Sequence, residues 1–507
     1  MVAQELLSHT VQLPLPLMVL LVGSLALPLL GLLAERVKLG GLREAWMFIV
    51  TTATVGSVYL LYQQLKAEPD GILVFSLWGQ RPPVGGCFEV DALGVYMSGT
   101  IAFLGLLAGI YSFKYMEKES RLTEFYTLVL LMMSGMTGIV LAGDFFTLFI
   151  FWEMMSLSSY VLVAFLKSRW GPIEAGFKYL IMSATAGAFL LLGMSFLYGM
   201  TGTLNFAQLS VSLHGVTQTP WIFVLFSCLV VGFGVKSAIV PLHTWLPDAH
   251  PEAPSPISAL LSGIVIETGL YGLTRVFYLL FEPGYFQVSI AALAVLTMTL
   301  ANIMALLQQD IKRLLAYSSI AQIGYMLVGV STGTAYGIMG TFLHVFNHSL
   351  MKGLAFLSAG SIVHEAETRD IPSLRGVGRM MPFTSFTLFV ALLGLGGVPG
   401  TNGFVSKFIL FNSAIGAGMP WLAVIGLLNS AFSMAYYLRV MKTMISKPEG
   451  EAMKVTEAPT LMVGVTIVMA TLIVLLGLYP TPVLGFAMKA SKALVEGMRE
   501  YIGAVLP

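Results

Sequence analysis

Long apolar runs alternate with short polar segments along almost the whole chain. A run of about 20 apolar residues is long enough to cross the hydrocarbon core of a bilayer as a helix. On this criterion we predict about fourteen transmembrane helices. The predicted spans are residues 14–34, 44–64, 92–113, 125–142, 145–166, 173–200, 220–246, 254–280, 287–307, 314–332, 336–362, 382–414, 419–440 and 459–479.

Two segments outside these spans have patterns of their own. Between the second and third spans, apolar residues at 71–77 and 87–90 flank the turn-forming stretch 82–86, which is typical of a β-hairpin. After the last span, residues 480–507 mix charged and apolar positions. We interpret this final segment as an amphipathic surface helix.

An internal repeat relates the two halves of the chain. Asp144 begins the fifth span and Asp310 the tenth, and a polar stripe of serine and tyrosine follows each aspartate. Two helices later each half is interrupted, by Gly234 to Pro241 in the seventh span and by the glycine-rich segment 394–403 in the twelfth. Because the repeated unit has five helices, its second copy is inverted in the membrane, as in many secondary transporters. We therefore predict an all-α polytopic fold with two inverted five-helix repeats, helices 4–8 and 9–13, in which helices 7 and 12 are broken.

Lysine and arginine residues outside the spans predict the orientation, because cytoplasmic loops are enriched in them. Loops after odd-numbered spans, together with Arg439 at the end of the thirteenth span, contain seventeen such residues, whereas loops after even-numbered spans contain only Lys66 and Arg81. We therefore expect a multi-pass protein of the plasma membrane with both termini on the extracytoplasmic side. Its predicted parts are helices 1–3 with an external hairpin near 70–90 (1–113), the first five-helix repeat (114–280), the second, inverted repeat (281–446), and helix 14 with the C-terminal amphipathic segment (447–507).

Composition excludes several classes of protein. The 507 residues are 57% hydrophobic and 10% charged, whereas charged residues make up about 25% of a soluble protein. The net charge of +1 gives no indication of a nucleic-acid partner, and two cysteines are too few to hold a cysteine-ligated iron–sulfur cluster. We therefore expect no cofactor, metal or catalytic redox centre in this chain.

Two charged residues inside the first repeat are candidates for ion transport. Lys236 lies in the broken seventh span, where a lysine at bilayer depth costs about 2.5–3.5 kcal/mol and marks an ion path. Glu153 lies more than two turns inside the fifth span, and we expect it to pair with Lys236. A Glu–Lys pair whose charge can switch is suited to proton transfer. The alternatives are a snorkelling Lys236 and a static ion pair; for Lys178 and Arg275, snorkelling is an equally good interpretation.

A polar stripe lies in the eleventh span. His344, His348 and Lys352 are four residues apart, so they share one helix face. Histidine titrates near neutral pH and is suited to passing protons. A hydrogen-bonded pair of core histidines is the alternative. A metal site of the HExxH type is disfavoured because Val345 follows His344. We call these three residues the central stripe.

Three further groups complete the predicted proton route. Glu267 lies deep in the eighth span, where it either relays protons or compensates the charge of Lys236. His243 lies in the broken region of the seventh span and is expected to bridge toward Asp248. Lys407 follows the second break and is the counterpart of Lys236 in the other half. We take Lys407 as the terminal group of the route.

Over nearly its whole length the chain resembles the antiporter-like subunits shared by respiratory complex I, Mrp-type Na⁺/H⁺ antiporters and membrane-bound hydrogenases. The segments that carry the resemblance are 151–156, 235–250, 253–263, 344–352 and 403–408. The resemblance implies that Glu153 and Lys236 form the coupling pair of the family. It places the central relay on the central stripe and the distal group on Lys407.

The sequence departs from the family pattern in two places. Several relatives have a lysine in the eighth helix where this chain has Glu267, and residues 480–507 are far too short to form the long lateral helix of the largest complex I relative. The lysine at position 407 is more similar to the Mrp D-type subunit than to the complex I relative with glutamate there. The resemblance therefore favours an archaeal-type membrane-bound hydrogenase with an Mrp-like module as the parent complex.

The leading hypothesis is a proton-translocating subunit of a multisubunit membrane complex, coupled to redox chemistry or Na⁺ exchange elsewhere in that complex. Its expected partners are the lipid bilayer and other membrane subunits, including related antiporter-like and small Mrp-type subunits. The alternatives are an M/N-type subunit of complex I, a stand-alone secondary transporter and a structural anchor without transport. The anchor is disfavoured because intramembrane charges are costly to retain.

Overall fold

The computed structural model describes residues 13–37, 41–76, 82, 85–213, 220–281, 283–447 and 455–506. Within these ranges the chain is mostly helical, with one antiparallel pair of short strands. In chain order the elements are α1 (Leu15–Val37), α2 (Leu42–Ala67), β1 (Leu73–Ser76), β2 (Cys87–Val90), α3 (Ala92–Tyr115), α4 (Leu122–Leu141), α5 (Phe145–Val163), α6 (Trp170–Thr201), α7 (Phe206–Leu213), α8 (Pro220–Lys236), α9 (Leu246–Glu252), α10 (Ser255–Leu280), α11 (Pro283–Leu306), α12 (Ile311–Ser331), α13 (Ala335–Ala366), α14 (Pro382–Gly396), α15 (Asn402–Gly416), α16 (Pro420–Ile445), α17 (Thr460–Leu478), α18 (Thr481–Val495) and α19 (Met498–Val505).

Eleven of the helices in the described ranges are long and apolar enough to cross a membrane. A twelfth span results if the bent pair Pro372–Met380 and Pro382–Gly396 is counted as one. Predicted spans 7 and 12 are each divided into shorter helices, and the polar residues of α13 make the eleventh less apolar. The architecture is therefore that of a helical multi-pass membrane protein, and the number fourteen stays a prediction.

The helices separate into an outer shell and an enclosed centre. Shell helices α1 and α16 expose large apolar side chains such as Leu25, Leu29 and Leu428. In the centre, every residue in the apolar stretches of α10 and α12 is buried. A polar side chain on a central helix must therefore find its partners inside the protein, since neither water nor lipid surrounds it.

Helices are interrupted at both predicted breaks. α8 ends at Lys236, and two residues later Ala238 has a left-handed backbone with a φ angle of 54°. α14 ends at Gly396 and is followed by Gly397, whose φ angle is 81°, before α15 begins at Asn402. A residue with positive φ does not continue a right-handed helix, and glycine adopts this conformation without steric cost. Each break leaves helix-terminal carbonyl groups available inside the protein.

An equivalent backbone contact in the two halves supports the predicted repeat. The side chain of Asp144 caps α5, and the side chain of Asp310 caps α12. Asp144 also forms an antiparallel bridge with Asn205, and Asp310 forms one with Asp370. In each half the bridging partner lies just after the next long helix. The inversion of one repeat relative to the other stays a prediction.

The hairpin and the C-terminal segment pack together. β1 and β2 are antiparallel, with Leu73 opposite Val90. The C-terminal segment forms α18 and α19 rather than the single surface helix predicted, and Tyr501 of α19 is buried. Its hydroxyl donates a hydrogen bond to the Glu89 carboxylate of β2. The segment is therefore held by a buried polar contact as well as by its amphipathic pattern.

Some predictions fall outside the described residues. They are the contributions of Lys38, Arg81 and Lys454 to the orientation and the part of the hairpin turn at 83–84.

Candidate functional site

Lys236 ends in an aromatic pocket at the first break. Its side chain is buried, and its Nζ donates to the hydroxyl of Tyr179 at 2.9 Å. The Tyr179 ring stacks on Trp245 at 3.9 Å, and Ser159 donates to the same hydroxyl at 2.9 Å. The ammonium also lies 4.8 Å from the centre of the Tyr179 ring, close enough for a cation–π contact. The ammonium therefore sits at the end of a short polar chain that begins at Ser159.

Glu153 does not form the predicted direct pair with Lys236. Its side chain is exposed on the lateral surface of the chain, against α6, where a Cβ atom at Gly187 would lie 2.9 Å from its Oε1. None of the ion pairs between described residues joins it to Lys236. The two charges interact only at longer range. Glu153 therefore lies at the boundary of the chain, next to whatever covers that surface.

Glu267 and His348 form the most direct contact in the centre of the protein. Both are fully buried, and His348 Nδ1 lies 2.5 Å from Glu267 Oε1. The hydroxyl of Ser349 donates to the other carboxylate oxygen at 2.8 Å. A π-helical turn at Leu261–Val265 precedes Glu267, and such turns are frequent at functional sites. Glu267 thus contacts a histidine of the central stripe rather than Lys236.

His344 is connected to Lys407 through a glutamine that the sequence analysis did not select. The Nε2 atom of His344 lies 3.0 Å from Gln322 Oε1, and its Nδ1 lies 2.8 Å from the hydroxyl of Ser406. The amide group of Gln322 donates to the carbonyl of Leu395 at 3.1 Å. Lys407 Nζ donates to the same carbonyl at 2.6 Å. The carbonyl freed by the second break therefore joins the stripe to the distal lysine.

Lys352 begins a second polar connection. Its Nζ donates to the carbonyl of Leu315 at 2.9 Å and to the hydroxyl of Ser318 at 2.6 Å. Ser318 in turn lies 2.5 Å from the hydroxyl of Tyr437. The ring of Tyr437 contacts Tyr436 at a centroid distance of 4.5 Å. The contacts that begin at Lys352 therefore extend away from the histidines toward α16.

The second connection also reaches Lys407. Tyr436 donates to Asn302 Oδ1 at 2.9 Å, and the amide of Asn302 donates to the hydroxyl of Tyr325 at 3.1 Å. Lys407 Nζ lies 4.6 Å from the centre of the Tyr325 ring and 3.0 Å from the hydroxyl of Ser430. These neutral residues carry no charge signal in the sequence. A single amide or phenol in an apolar run becomes informative only once its neighbours are known.

His243 lies apart from these connections. Its half-buried ring is 6.3 Å from that of Tyr317, and no hydrogen-bond partner of its Nδ1 lies in the described part of the chain. The predicted bridge toward Asp248 is wrong, because that carboxylate contacts Lys178 at 3.1 Å and Arg313 at 3.0 Å. Lys178 is itself exposed, in agreement with the snorkelling interpretation.

A buried acidic cluster lies where α10 meets the hairpin. Arg275 is buried and forms an ion pair with Asp91, so it does not snorkel. Next to it, burial raises the pKa of Glu89 to about 7. The hydrogen bonds that Tyr501 and Asn205 donate to this carboxylate lower its pKa and only partly offset the effect of burial. This cluster ties the hairpin and the C-terminal helix to the end of α10. Because breaking a buried ion pair costs several kcal/mol, its role is to fix α10 in place.

The arrangement in the described residues includes no group of three or more histidine, cysteine, aspartate or glutamate side chains that could hold a metal ion. The central histidines instead have carboxylate, amide and hydroxyl partners. The geometry is that of a buried, hydrogen-bonded series of titratable groups.

Comparison with known proteins identifies the family. Residues 142–433, which include all eight predicted site residues, match the family described as NADH:quinone oxidoreductase/Mrp antiporter, TM. The chain belongs to this family. Residues 84–126 also match the N-terminal region of chain 5 of NADH-ubiquinone oxidoreductase (complex I).

Relatives of the NADH:quinone oxidoreductase/Mrp antiporter family align over most of the chain. The F(420)H(2) dehydrogenase subunit N of Methanosarcina mazei is 35% identical over 87% of this chain and 92% of its own length. The D-type Na(+)/H(+) antiporter protein of Alkalihalophilus pseudofirmus is 28% identical over 88% of this chain and 91% of its own length. Of these two relatives the dehydrogenase protein has the higher identity.

A solved structure that is similar to this chain has the same fold. A chain of the membrane-bound sulfane sulfur reductase, an archaeal respiratory membrane complex, superposes with a TM-score of 0.88 at 28% identity and covers 97% of this chain and 99% of its own. This chain is accordingly an antiporter-like subunit of a multisubunit membrane complex, and its partners include other membrane subunits, as the sequence analysis predicted.

Proposed function

We propose that this chain translocates protons through Glu153, Lys236, Glu267, the central stripe and Lys407, with His243 at the edge of the route. The observation that carries the proposal is the buried series from Glu267 through His348 and His344 to Lys407. Two of its steps are the hydrogen bonds Glu267–His348 and His344–Gln322. Another step spans the 6.2 Å between the centres of the two histidine rings. At the last step Gln322 and Lys407 both donate to the carbonyl of Leu395, which positions the two groups but does not itself pass a proton.

The gap between the histidines is suited to a bridging water. In the described part of the structure, His348 Nε2 is a buried nitrogen without a hydrogen-bond partner. A buried polar group of this kind is usually satisfied by water, and water can carry a proton between two imidazoles. We propose that water also carries the proton between Lys236 and Glu267, because the described residues make no direct hydrogen bond there.

Electrostatic coupling links the members of the series. In a medium of low dielectric constant, neighbouring titratable groups shift each other's protonation by amounts that decay only slowly with distance. A change of charge on Lys236 is therefore felt at Glu267, and then at His348, His344 and Lys407 in turn. The two lysines lie at the two helix breaks, which places one charged group at each end of the buried series.

Glu153 supports a role at a subunit boundary. It is the one predicted route residue that is exposed on the lateral surface of the described structure. A carboxylate exposed to lipid would be costly, so a neighbouring membrane subunit is expected to cover it. We propose related antiporter-like and small Mrp-type subunits as these neighbours.

The proposed parent complex is redox-driven. The relatives with identities above 25% include proteins named for a dehydrogenase and a sulfane sulfur reductase, as well as an Na(+)/H(+) antiporter. A membrane-bound hydrogenase with an Mrp-like module fits this set and remains our proposal for the parent, with an M/N-type complex I subunit as the alternative. Na⁺ exchange is placed elsewhere in the complex.

The function is tested by replacing Lys236 with methionine, which keeps the length of the side chain but removes its titratable amine. Removal of a positioned proton-transfer group typically costs about a hundredfold or more, so the variant complex is expected to lose nearly all coupled proton transport. The measurement is proton uptake per redox turnover by the purified complex in proteoliposomes.

The matched control is Lys442→Met, which removes an exposed lysine of α16. It is expected to transport as the wild type does. Normal transport by an assembled Lys236→Met complex would refute the proposed function. Full transport by this chain purified alone as a monomer would instead favour the stand-alone transporter.

We propose that the protein lies in the plasma membrane with the hairpin face outside and the basic loops in the cytoplasm. The loop charges carry this proposal. Asp70 and Ser373 are exposed on loops of opposite predicted sidedness. In intact cells a membrane-impermeant thiol reagent is expected to label Asp70→Cys but to label Ser373→Cys only after lysis. The reverse pattern would invert the topology; native Cys87 and Cys228 are buried and provide the background.

A further inference from the structure

A polar cavity opens on the face that carries the basic loops. Its volume is about 940 Å³. Exposed residues at its edge include Glu119, Arg169 and Asp370, and the buried side chain of Lys312 forms part of its wall. We call this cavity the vestibule. It opens at the first turn of α12, where Lys312 is buried and Arg313 is partly exposed.

Lys312 is a buried ammonium without a carboxylate partner. Its Nζ donates to the carbonyl of Ala253 at 2.7 Å. The two carboxylates that interact with it electrostatically, Asp310 and Glu252, are bound by Arg369 at 3.2 and 3.1 Å. No ion pair within 4.0 Å joins Lys312 to a carboxylate of the described residues. A lysine held in this way can exchange its proton with the water of the vestibule without first breaking a salt bridge.

His250 is a buried histidine whose ring has no protein partner in the described structure. It is fully buried, and neither ring nitrogen makes a hydrogen bond to the described residues. Its ring stacks on Phe356 of α13 at 4.6 Å. Leaving buried polar atoms unsatisfied costs about 1–3 kcal/mol, so water is expected at both nitrogens. No sequence pattern singles out this residue, because it lies in a short helix outside the central stripe.

His250 is near enough to Lys312 and Lys352 to be affected by the charge of each. Lys352 lies one turn before Phe356 on α13, the residue on which the His250 ring stacks. Lys352 contacts α12 at Leu315 and Ser318, about one and about two turns after Lys312. Among the described residues the two ammonium groups bind different carbonyl groups, those of Leu315 and Ala253, and make no hydrogen bond to each other.

We propose that Lys312 and His250 form a proton inlet that connects the vestibule with Lys352. Lys312 first releases its proton inward, and its amine is then reprotonated by a hydrated proton of the vestibule, which leaves water behind. His250 accepts the proton released by Lys312 at one ring nitrogen and gives up another from the opposite nitrogen toward Lys352, so that only N–H and O–H bonds form and break. The inlet rests on the proposed function, since it supplies protons to the same central series.

The first test is a chemical rescue at Lys312. Lys312→Cys is expected to reduce proton uptake per redox turnover by about tenfold or more. Treatment with 2-aminoethyl methanethiosulfonate attaches an ammonium group through a mixed disulfide and releases methanesulfinate. Restored transport in the same assembled complex is expected, because the reagent reaches position 312 through the vestibule. A merely structural loss would not be reversed by this reaction.

The second test addresses His250 itself. His250→Phe removes both nitrogens and keeps an aromatic ring against Phe356, so the fold is preserved while uptake falls. His250→Ala leaves space for added imidazole, which is expected to restore part of the lost transport. Imidazole without effect on a transport-deficient, assembled His250→Ala complex would count against the inlet. The parental complex, treated with each reagent, controls for effects on the native Cys87 and Cys228.

The outcomes separate the inlet from the proposed function. If Lys312→Met and His250→Phe pump normally while Lys236→Met does not, the inlet is wrong and the proposed function stands. If all three variants pump normally, the proposed function fails and the inlet fails with it. If a Lys312 or His250 variant does not assemble, Lys312→Arg and His250→Gln preserve the hydrogen-bonding groups, and either one pumping as the wild type does would overturn the inlet.

Discussion

Replacing Glu267 with glutamine is expected to reduce proton uptake per redox turnover by about a hundredfold while leaving the complex assembled. Glutamine keeps the size of the side chain, and its amide oxygen can still accept from Ser349, which donates to Glu267 at 2.8 Å. It cannot bind and release a proton. The 2.5 Å contact with His348 would then join a histidine to a neutral group that does not titrate. Transport stops because the proton has no site between the first break and the central stripe.

The measurement for Glu267→Gln is proton uptake in proteoliposomes at matched content of this chain. Thr268→Val is the control, because Thr268 is the next residue of α10, is equally buried, and uses its hydroxyl only on the carbonyl of Ile264 at 2.8 Å. The control is expected to retain transport. If Glu267→Gln pumps as well as Thr268→Val, the carboxylate serves only to hold His348, and protons bypass it.

Glu267 also shows where sequence reasoning stops. The apolar run around it predicts burial in the eighth span, and burial demands a partner. The periodicity of one helix does not say which neighbour faces it, so Lys236 and a relay role were equally good predictions. In the structure the partner of Glu267 is His348, because α13 packs against the π-helical turn that precedes Glu267.

The central stripe illustrates the same limit within one helix. The i, i+4 spacing correctly places His344, His348 and Lys352 on one face of α13. Their partners nevertheless differ, because the face meets α10 at one level and α12 at the others. Gln322 had no signal in the sequence, since its importance comes from bridging His344 to a carbonyl that only the second break makes available.

The predicted interaction of Glu153 with Lys236 is present only at longer range, and the direct contact is missing for a physical reason. Two opposite charges in one predicted repeat suggest a direct pair, and the energy of burying an isolated charge favours that interpretation. The inference assumes that the chain alone must satisfy every charge. In one member of a complex, a lateral surface can leave a carboxylate to be satisfied by a neighbour. Glu153 is exposed in the single chain, and the sequence of one chain does not show which neighbouring subunit covers it.

Substitutions at Lys407 are expected to distinguish a proton carrier from a fixed charge. The ammonium donates to the carbonyl of Leu395 at 2.6 Å and to Ser430 at 3.0 Å, at the end of both polar connections from the central stripe. Lys407→Ala removes the group and is expected to stop transport, by about a hundredfold or more. Lys407→Arg keeps the positive charge but does not readily deprotonate, so it is expected to stop transport nearly as well. Proton uptake per redox turnover in proteoliposomes measures both.

The glutamate variant of Lys407 distinguishes a proton carrier from a fixed charge. Lys407→Glu provides a titratable group of opposite charge at the same site, and relatives with glutamate there suggest that it retains part of the transport. Lys442→Arg, at an exposed position of α16, controls for the introduction of a guanidinium and is expected to change nothing. A carrier predicts that glutamate exceeds arginine, because only the carboxylate can load and release a proton. A fixed charge predicts the reverse order, since arginine preserves the field and glutamate inverts it. If the arginine variant transports as the wild type does, Lys407 shapes the potential around Leu395, and protons must leave the central stripe by another group.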